Sequence, residues 1–190
     1  MREQKTKQNK TTKKMKNFKL FLFATILGLT FTSCDDEPTP IIQEESPVIE
    51  NLKNGIMSGK LEEDFTLDAS TSYTLSGSFL IDDNATLNIP AGTQISAVSG
   101  GVDIYIAVLQ GGKINVNGTA SNPVIMASTN SNPGDWGGLT LCGKATTTAG
   151  AGASAEVGGF IYGGSEDSDS SGIIRNLIIR GTGAAINADS

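Results

Sequence analysis

Residues 85–93 read ATLNIPAGT, and residues 113–119 read KINVNGT. Each stretch places an asparagine between two aliphatic residues, in Leu87-Asn88-Ile89 and Ile114-Asn115-Val116, and each continues into a Gly-Thr pair. The two triplets are 27 residues apart. Recurrence of one pattern at a period of about 20–50 residues is typical of stacked repeats. The sequence therefore predicts that both segments occupy equivalent positions in neighbouring coils of a solenoid.

Short aliphatic segments recur on both sides of this pair. None sustains the apolar period of a helix, and each is bounded by Gly, Pro, Asn or Asp, which favour turns. They are residues 79–81, 86–89, 104–109, 113–116, 124–126, 139–141 and 176–179. We predict an all-β domain over residues 70–190 that forms a right-handed parallel β-helix of about five coils. A β-sandwich is the alternative, since it also uses short strands with frequent turns.

Spacing beyond the triplets sets the predicted register. From Ile114, 25 residues lead to Leu139, and a further 38 lead to Leu177. The excess of 13 is assigned to residues 145–159, whose Gly, Ala and Thr content is typical of a loop bulging from one coil. Cys142 follows the predicted strand at Leu139 and is expected to pack as a small buried residue.

Charge divides the chain into two unlike parts. Residues 1–19 contain eight of the 14 basic residues and one of the 20 acidic residues, which leaves a net charge of −13 beyond Lys19. Such an acidic surface repels phosphate backbones and disfavours nucleic acid as a partner. The sequence contains no histidine, which excludes Ser-His and Cys-His nucleophile pairs and His-ligated zinc.

The basic segment precedes an apolar run, LFLFATILGLTF, at residues 20–31. At helical rise these 12 residues span about 18 Å, well short of a bilayer core of roughly 30 Å. The run ends in Phe31-Thr32-Ser33-Cys34, which resembles the lipobox of bacterial lipoproteins, with Phe31 where Leu is usual. Residues 1–33 are therefore predicted to be a lipoprotein signal peptide, with Cys34 as the lipidation site. An ordinary signal peptide with an incidental cysteine is the alternative.

The segment after Cys34 cannot form a core of its own. Residues 34–69 begin with Asp35-Asp36-Glu37 and continue with proline and polar residues, which predicts a flexible acidic and polar tether. The acidic run also resembles signals that send lipoproteins across the outer membrane to the cell surface. A solvated linker explains it equally well.

A family resemblance is carried by residues 134–145, GDWGGLTLCGKA. This stretch resembles the GDWGG…GKA motif of a family of bacterial surface lipoproteins with parallel β-helix domains. Residues 85–93 and the glycine pair Gly163-Gly164 match the same family in order. The resemblance implies a fold and a location, and no reaction. Family members generally extend further, so the chain is expected to be truncated in mid-coil, unless its last residues fold back as a cap.

Two features are candidate binding sites. Glu166, Asp167 and Asp169 bring three carboxylates into a Gly- and Ser-flanked loop, where hard oxygen ligands suit calcium; a solvated acidic loop is the alternative. Trp136 is the sole tryptophan and either stacks on a sugar ring or packs half-buried between glycines.

These features favour a binding protein over an enzyme. We expect an outer-membrane lipoprotein, held by acyl chains on Cys34 at the cell surface or the periplasmic face, whose β-helix is a binding or display module for a glycan or a surface protein. No cofactor other than calcium is indicated. The alternative is a polysaccharide lyase or hydrolase lacking its C-terminal coils. Its candidate groups would be Asp167, Asp169, Lys144, Arg175 and Arg180, among which no acid-base pair is evident.

Overall fold

The computed structural model describes residues 45–186; the predicted signal peptide, Cys34 and the first part of the tether lie outside this range. The regular elements within it are α1 (Pro47–Lys53), β1 (Ile56–Leu61), β2 (Phe65–Thr66), β3 (Ser72–Ile81), β4 (Thr86–Pro90), β5 (Gln94–Ala97), β6 (Gly101–Val108), β7 (Lys113–Asn117), β8 (Val124–Ser128), β9 (Trp136–Leu141), β10 (Ala153–Ser154), β11 (Ile161–Tyr162), β12 (Gly172–Arg175) and β13 (Leu177–Arg180).

The strands form three faces around one core. The first face contains the N-terminal halves of β1 and β3, followed by β5, β8 and β13. The second contains the C-terminal halves of β1 and β3, followed by β6 and β9. The third contains β2, β4, β7 and β12. Each coil of chain visits the three faces in turn and stacks on the coil before it.

All pairings between coils are parallel. The predicted all-β, right-handed parallel β-helix is therefore confirmed, and the β-sandwich is wrong because sandwich sheets are antiparallel. β10 and β11 form the one antiparallel pair within residues 45–186. Four coils and the first strand of a fifth are described.

The equivalence of the two Asn-centred triplets is confirmed on the third face. Leu87 pairs with Ile114, and Ile89 pairs with Val116. All four side chains are completely buried, because alternate positions of a strand point to the same side. Asn88 and Asn115 therefore lie on the outer side of the same two strands.

The register predicted for later coils is wrong. Leu139 pairs with Ile106 on the second face, and Leu177 pairs with Val124 on the first. The third-face partner of Ile114 is Gly172. The error arises because each coil contributes three strands, so equal spacing along the sequence mixed strands that belong to different faces.

The loop assigned to residues 145–159 does leave the stack, but it is larger than predicted. β9 on the second face ends at Leu141, and the third face resumes only at Gly172. Residues 143–171, which we call the insertion, lie between these two strands and include the β10–β11 hairpin. Cys142 at its base is completely buried, as predicted.

The stack also begins earlier than residue 70. β1 and β2 already pair with β3 and β4, and helix α1 packs on β1 before them. Helix α1 begins with Pro47, a residue favoured at the first helical position. Its first turn contains the acidic Glu50 and its last turn the basic Lys53, and both charges are favourable to the helix dipole. Residues 42–190 form one compact unit, and the described core, which begins at Ile49, lies wholly within it.

Candidate functional site

Trp136 is part of the core. Its side chain has no exposed surface, and its indole Nε1 donates a hydrogen bond to the carbonyl oxygen of Arg180 at 2.9 Å. A sugar ring has no access to the indole face in this structure, so the stacking role considered for Trp136 is wrong. The packing role holds, with the side chain fully rather than half buried.

Asp135, the residue before this tryptophan, fixes a turn. Its Oδ2 accepts hydrogen bonds from the Ser128 hydroxyl at 2.7 Å and from the Asn132 amide at 3.0 Å. The Ser128 hydrogen bond is the main reason why the pKa of Asp135 lies below its usual value. A carboxylate held ionised in this way closes the turn between β8 and β9, and a general acid would need the opposite shift.

The two glycines that follow Trp136 allow close packing on both sides of β9. A side chain at Gly138 would meet Thr182 Oγ1 at 2.3 Å, and the φ of this residue is +89°. A side chain at Gly137 would contact Tyr105 and Val157, and Val157 belongs to the insertion. The GDWGG residues therefore join the stack, the following coil and the insertion, so their role here is structural.

Residues 143–146 and 163–169, which we call the neck of the insertion, are joined by hydrogen bonds. Gln110 Nε2 donates to the carbonyl oxygens of Gly143 at 3.1 Å and Gly163 at 3.0 Å, so it holds the outgoing and returning chains together. The backbone adds bonds from Gly163 to Gly143 and from Gly164 to Ala145. The insertion therefore leaves and rejoins the β-helix at a single fixed point.

The predicted calcium residues lie at this neck. Asp169 Oδ2 accepts from the Lys144 amide at 2.8 Å, and Asp167 Oδ1 accepts from the Thr146 amide at 3.1 Å. The hydrogen bonds from Thr146 lower the pKa of Asp167. The backbone amide of Glu166 donates a hydrogen bond to the Lys144 carbonyl oxygen, so Glu166 also lies at the neck.

These contacts give the two aspartates a structural use. Each one holds a backbone amide of the outgoing chain instead of converging with the other on a common point. Within residues 45–186, no group of three or more acidic or cysteine side chains is arranged to hold a metal ion. The structure thus brings the predicted residues into one loop without assembling them as ligands.

The far part of the insertion is a small hairpin that lies over the second face. The rings of Tyr105 on β6 and Phe160 beside β11 pack at 5.9 Å between centroids, tilted by 59°. Such tilted aromatic pairs contribute about 0.5–1.5 kcal/mol of stability beyond the contribution of the apolar area they bury. Ile161 in the hairpin remains 51% exposed. The hairpin thus presents an apolar side chain to solvent from a fixed base, a feature that sequence reasoning missed.

The basic residues considered for catalysis are dispersed. Arg175 ends β12 on the third face, and Arg180 ends β13 on the first. Lys144 sits at the neck, with its Nζ 4.0 Å from Asp83 Oδ1. The two candidate acids, Asp167 and Asp169, accept hydrogen bonds from backbone amides of the neck, and no ion pair joins either of them to one of these three basic side chains within residues 45–186.

A separate open groove of about 610 Å³ lies at the other end of the stack. Glu45, Ile49 and Lys53 of the α1 region line one side, and Asp64 and Phe65 line the other. Lys53 forms an ion pair with Glu45, and Asp64 accepts a hydrogen bond from the Thr86 amide at 2.7 Å. Three of the four charged side chains of this groove are therefore already paired within the protein, and the fourth is Glu63.

The predicted lipidation site, Cys34, lies outside the described residues and stays a prediction. Among residues 45–186, no helix has the length and apolar character needed to cross a bilayer.

Comparison with known proteins adds one match. Residues 59–190 match the model of a protein family described as a pectate-lyase-like β-helix domain. The search of curated proteins and the search of solved structures found no match.

Proposed function

This chain belongs to the family of pectate-lyase-like β-helix domains, and from that premise we propose that it is a membrane-anchored binding module that presents its insertion to a glycan. The single observation that carries the proposal is the way in which the insertion is held. Residues 143–171 leave a regular stack at one closed neck and offer a hairpin to solvent. Binding residues are disproportionately found on loops that a rigid scaffold positions.

The ligand class follows from the surface of the hairpin. An exposed aliphatic side chain, Ile161, stands beside Tyr162 and among Gly, Ala and Ser residues. Glycan sites combine apolar or aromatic contact with neutral hydrogen-bonding groups, and this segment offers both. A family that is named for pectate lyase adds weight to a carbohydrate ligand.

We favour binding over catalysis because three aspartates in or beside the insertion are already engaged. Asp135, Asp167 and Asp169 each accept a hydrogen bond from a backbone amide. The pKa values of Asp135 and Asp167 lie below the usual value, whereas a general acid that works near neutral pH needs a raised pKa. The name of the family supports one competing function, the cleavage of an acidic polysaccharide.

A glycan array tests the binding proposal. Residues 42–190 and a matched variant, in which residues 147–162 are replaced by a short Gly-Ser linker, would be compared. The neck bonds at Gly143 and Gly163 remain in the variant, so the stack is kept. We expect the parent to bind a defined glycan and the variant to lose that binding. Equal binding by both proteins, or no binding by the parent, contradicts the proposal.

An activity assay separates the competing function. Both proteins would be incubated with a panel of acidic polysaccharides, with and without calcium. Release of unsaturated products by the parent would establish a lyase and overturn the binding-only role. We expect no release.

The anchor is a separate part of the proposal and needs its own test. We infer that Cys34 is diacylated at its sulfur and becomes the new N-terminus when residues 1–33 are removed, so that the protein is anchored in the outer membrane at the cell surface or the periplasmic face. The full chain and its Cys34→Ser variant would be expressed with radiolabelled palmitate. Label and membrane association in the full chain alone support the anchor. If neither protein takes up label, the anchor is contradicted. If the anchor is supported, protease shaving of intact cells distinguishes the cell surface from the periplasmic face.

A further inference from the structure

The hairpin at the far end of the insertion carries one charged side chain. Residues 147–162 contain no lysine or arginine, and their single acid is Glu156. The Ala155 amide donates a hydrogen bond to the Phe160 carbonyl oxygen at 2.8 Å, which places Glu156 in the closed tip of the hairpin. The side chain of Glu156 is exposed, and so is that of Ile161, the residue after Phe160. A carboxylate and the aliphatic contact proposed for a sugar therefore lie at the same end of the hairpin.

A second carboxylate lies on the part of the stack that the hairpin covers. Asp103 is exposed and precedes Tyr105 on β6 by two positions, so both side chains are on the outer side of the second face, at most about 7 Å apart along the strand. A Cβ at Gly137 would lie 3.2 Å from Tyr105 Cβ and 3.4 Å from Val157 Cγ1. The residue that follows Glu156 thus lies beside Tyr105. The stack and the hairpin tip each bring one exposed carboxylate to the edge of the same surface.

No basic side chain offsets these two carboxylates. Within residues 45–186, neither Asp103 nor Glu156 forms an ion pair. Three of the six basic residues in this range form ion pairs with other acids, namely Lys53, Lys60 and Lys144. The other three belong to strands of the third and first faces: Lys113, Arg175 and Arg180. The same range contains 14 acidic residues and has a net charge of −8, so the surroundings of the hairpin add to the negative potential.

We propose that the hairpin takes a neutral glycan and that Asp103 and Glu156 exclude acidic ones; this inference rests on the glycan-binding function proposed above. A uronate or sulfate group would come to lie beside two carboxylates with no cation to offset the repulsion, and unpaired like charges at an interface reject a ligand. The hydroxyl groups of a neutral glycan can instead donate hydrogen bonds to the carboxylate oxygens. The chain thereby differs from the acidic polysaccharide that the name of its family suggests.

A glycan array measures the charge preference. It would carry oligosaccharides of neutral hexoses beside those of the corresponding uronic acids, and residues 42–190 would be tested against both. We expect binding to a neutral oligosaccharide to be at least about tenfold tighter than binding to its uronic acid counterpart. Equal or tighter binding of the uronic acid overturns this inference and leaves glycan binding in place. Absence of binding to every glycan overturns both proposals.

Two double variants identify the cause of the preference. Asp103→Asn with Glu156→Gln removes both carboxylates at nearly constant size, so binding of the uronic acid oligosaccharide should tighten about tenfold while binding of the neutral one stays the same. The matched control, Glu50→Gln with Glu63→Gln, removes the same net charge from exposed side chains at the α1 end and should leave both affinities unchanged. Equal tightening by the two double variants would contradict a specific role for Asp103 and Glu156.

Salt gives a readout that a difference in shape would not move. The Debye length falls from about 10 Å at 0.1 M salt to about 3 Å at 1 M, so high salt should reduce the preference of the parent protein. The affinities of the variant that lacks Asp103 and Glu156 should depend less on salt. A preference that neither salt nor this variant reduces means that the hairpin rejects uronic acids by shape, and selection by charge is then wrong.

Discussion

Asn115 donates a side-chain hydrogen bond to Asn88 on the neighbouring coil, with 2.9 Å between Nδ2 and Oδ1. The two residues are register partners on the outer side of the third face, 27 positions apart in the chain. An amide carries both a donor and an acceptor, so identical side chains can bond along a stack. The pair therefore ties two coils together outside the apolar core.

A double-mutant cycle measures this tie. Asn88→Ala and Asn115→Ala should each lower the free energy of unfolding by about 1 kcal/mol, and the double variant should cost less than the sum, with a coupling of about 0.5–1.5 kcal/mol. Urea titration gives the four values. Asn117→Ala in place of Asn115→Ala is the control and should show no coupling with Asn88→Ala.

Trp136→Phe tests the buried role of the indole. The variant loses the hydrogen bond to the Arg180 carbonyl and some buried volume, so we expect a loss of about 2–4 kcal/mol. In the parent, acrylamide should quench Trp136 fluorescence only weakly until the protein unfolds. Strong quenching in the native state would show that the side chain is accessible.

Gly138→Ala tests the close approach of Thr182. The new Cβ meets Thr182 Oγ1, and φ is positive, so the cost should exceed the roughly 1–2 kcal/mol of left-handed strain alone. Gly150→Ala is the matched control, since its φ is +86° with no atom within 4 Å of the new Cβ. Thermal unfolding should rank the Gly138 variant clearly below the Gly150 variant; equal loss would rule out the contact.

Stability should fall in acid partly through Asp135. Because its pKa in the folded state is lowered, its contribution is present above the ordinary value of 3.8 and is lost as the pH falls through the folded-state value. Asp135→Asn should therefore be less stable than the parent near pH 7 and show a shallower decline below about pH 4. The comparison uses thermal midpoints; parallel pH profiles would contradict the assignment. The variant should still lose some stability in acid, because the pKa values of Asp68, Asp82 and Asp167 are also lowered.

The sequence predicted those parts of the fold that local patterns determine. Leu87 and Ile114 were recognised as equivalent because alternation and turn residues recur around them. The burial of Cys142 followed from its place after a strand. The register of Leu139 was not predictable in the same way, since three different faces use the same strand chemistry.

Features that depend on distant partners could not be predicted. The buried indole N–H of Trp136 is satisfied by the backbone carbonyl oxygen of Arg180, which lies 44 positions away in the chain. Asp169 looked available to a cation because the sequence does not show that it bonds to the Lys144 amide. The neck residue Gln110 gave no signal at all, because a single glutamine in a turn is unremarkable until the returning chain is placed beside it.

A cysteine pair tests the stacking of the coils most directly. In residues 42–190, Asn88→Cys and Asn115→Cys would lie on adjacent parallel strands about 4.8 Å apart, within disulfide reach. Mild oxidation should link this pair, and Asn88→Cys with Asn117→Cys, two residues out of register, should stay reduced. Buried Cys142, whose pKa is raised by desolvation, should not interfere. Efficient linkage of the offset pair, or none of the register pair, would contradict the β-helix described here.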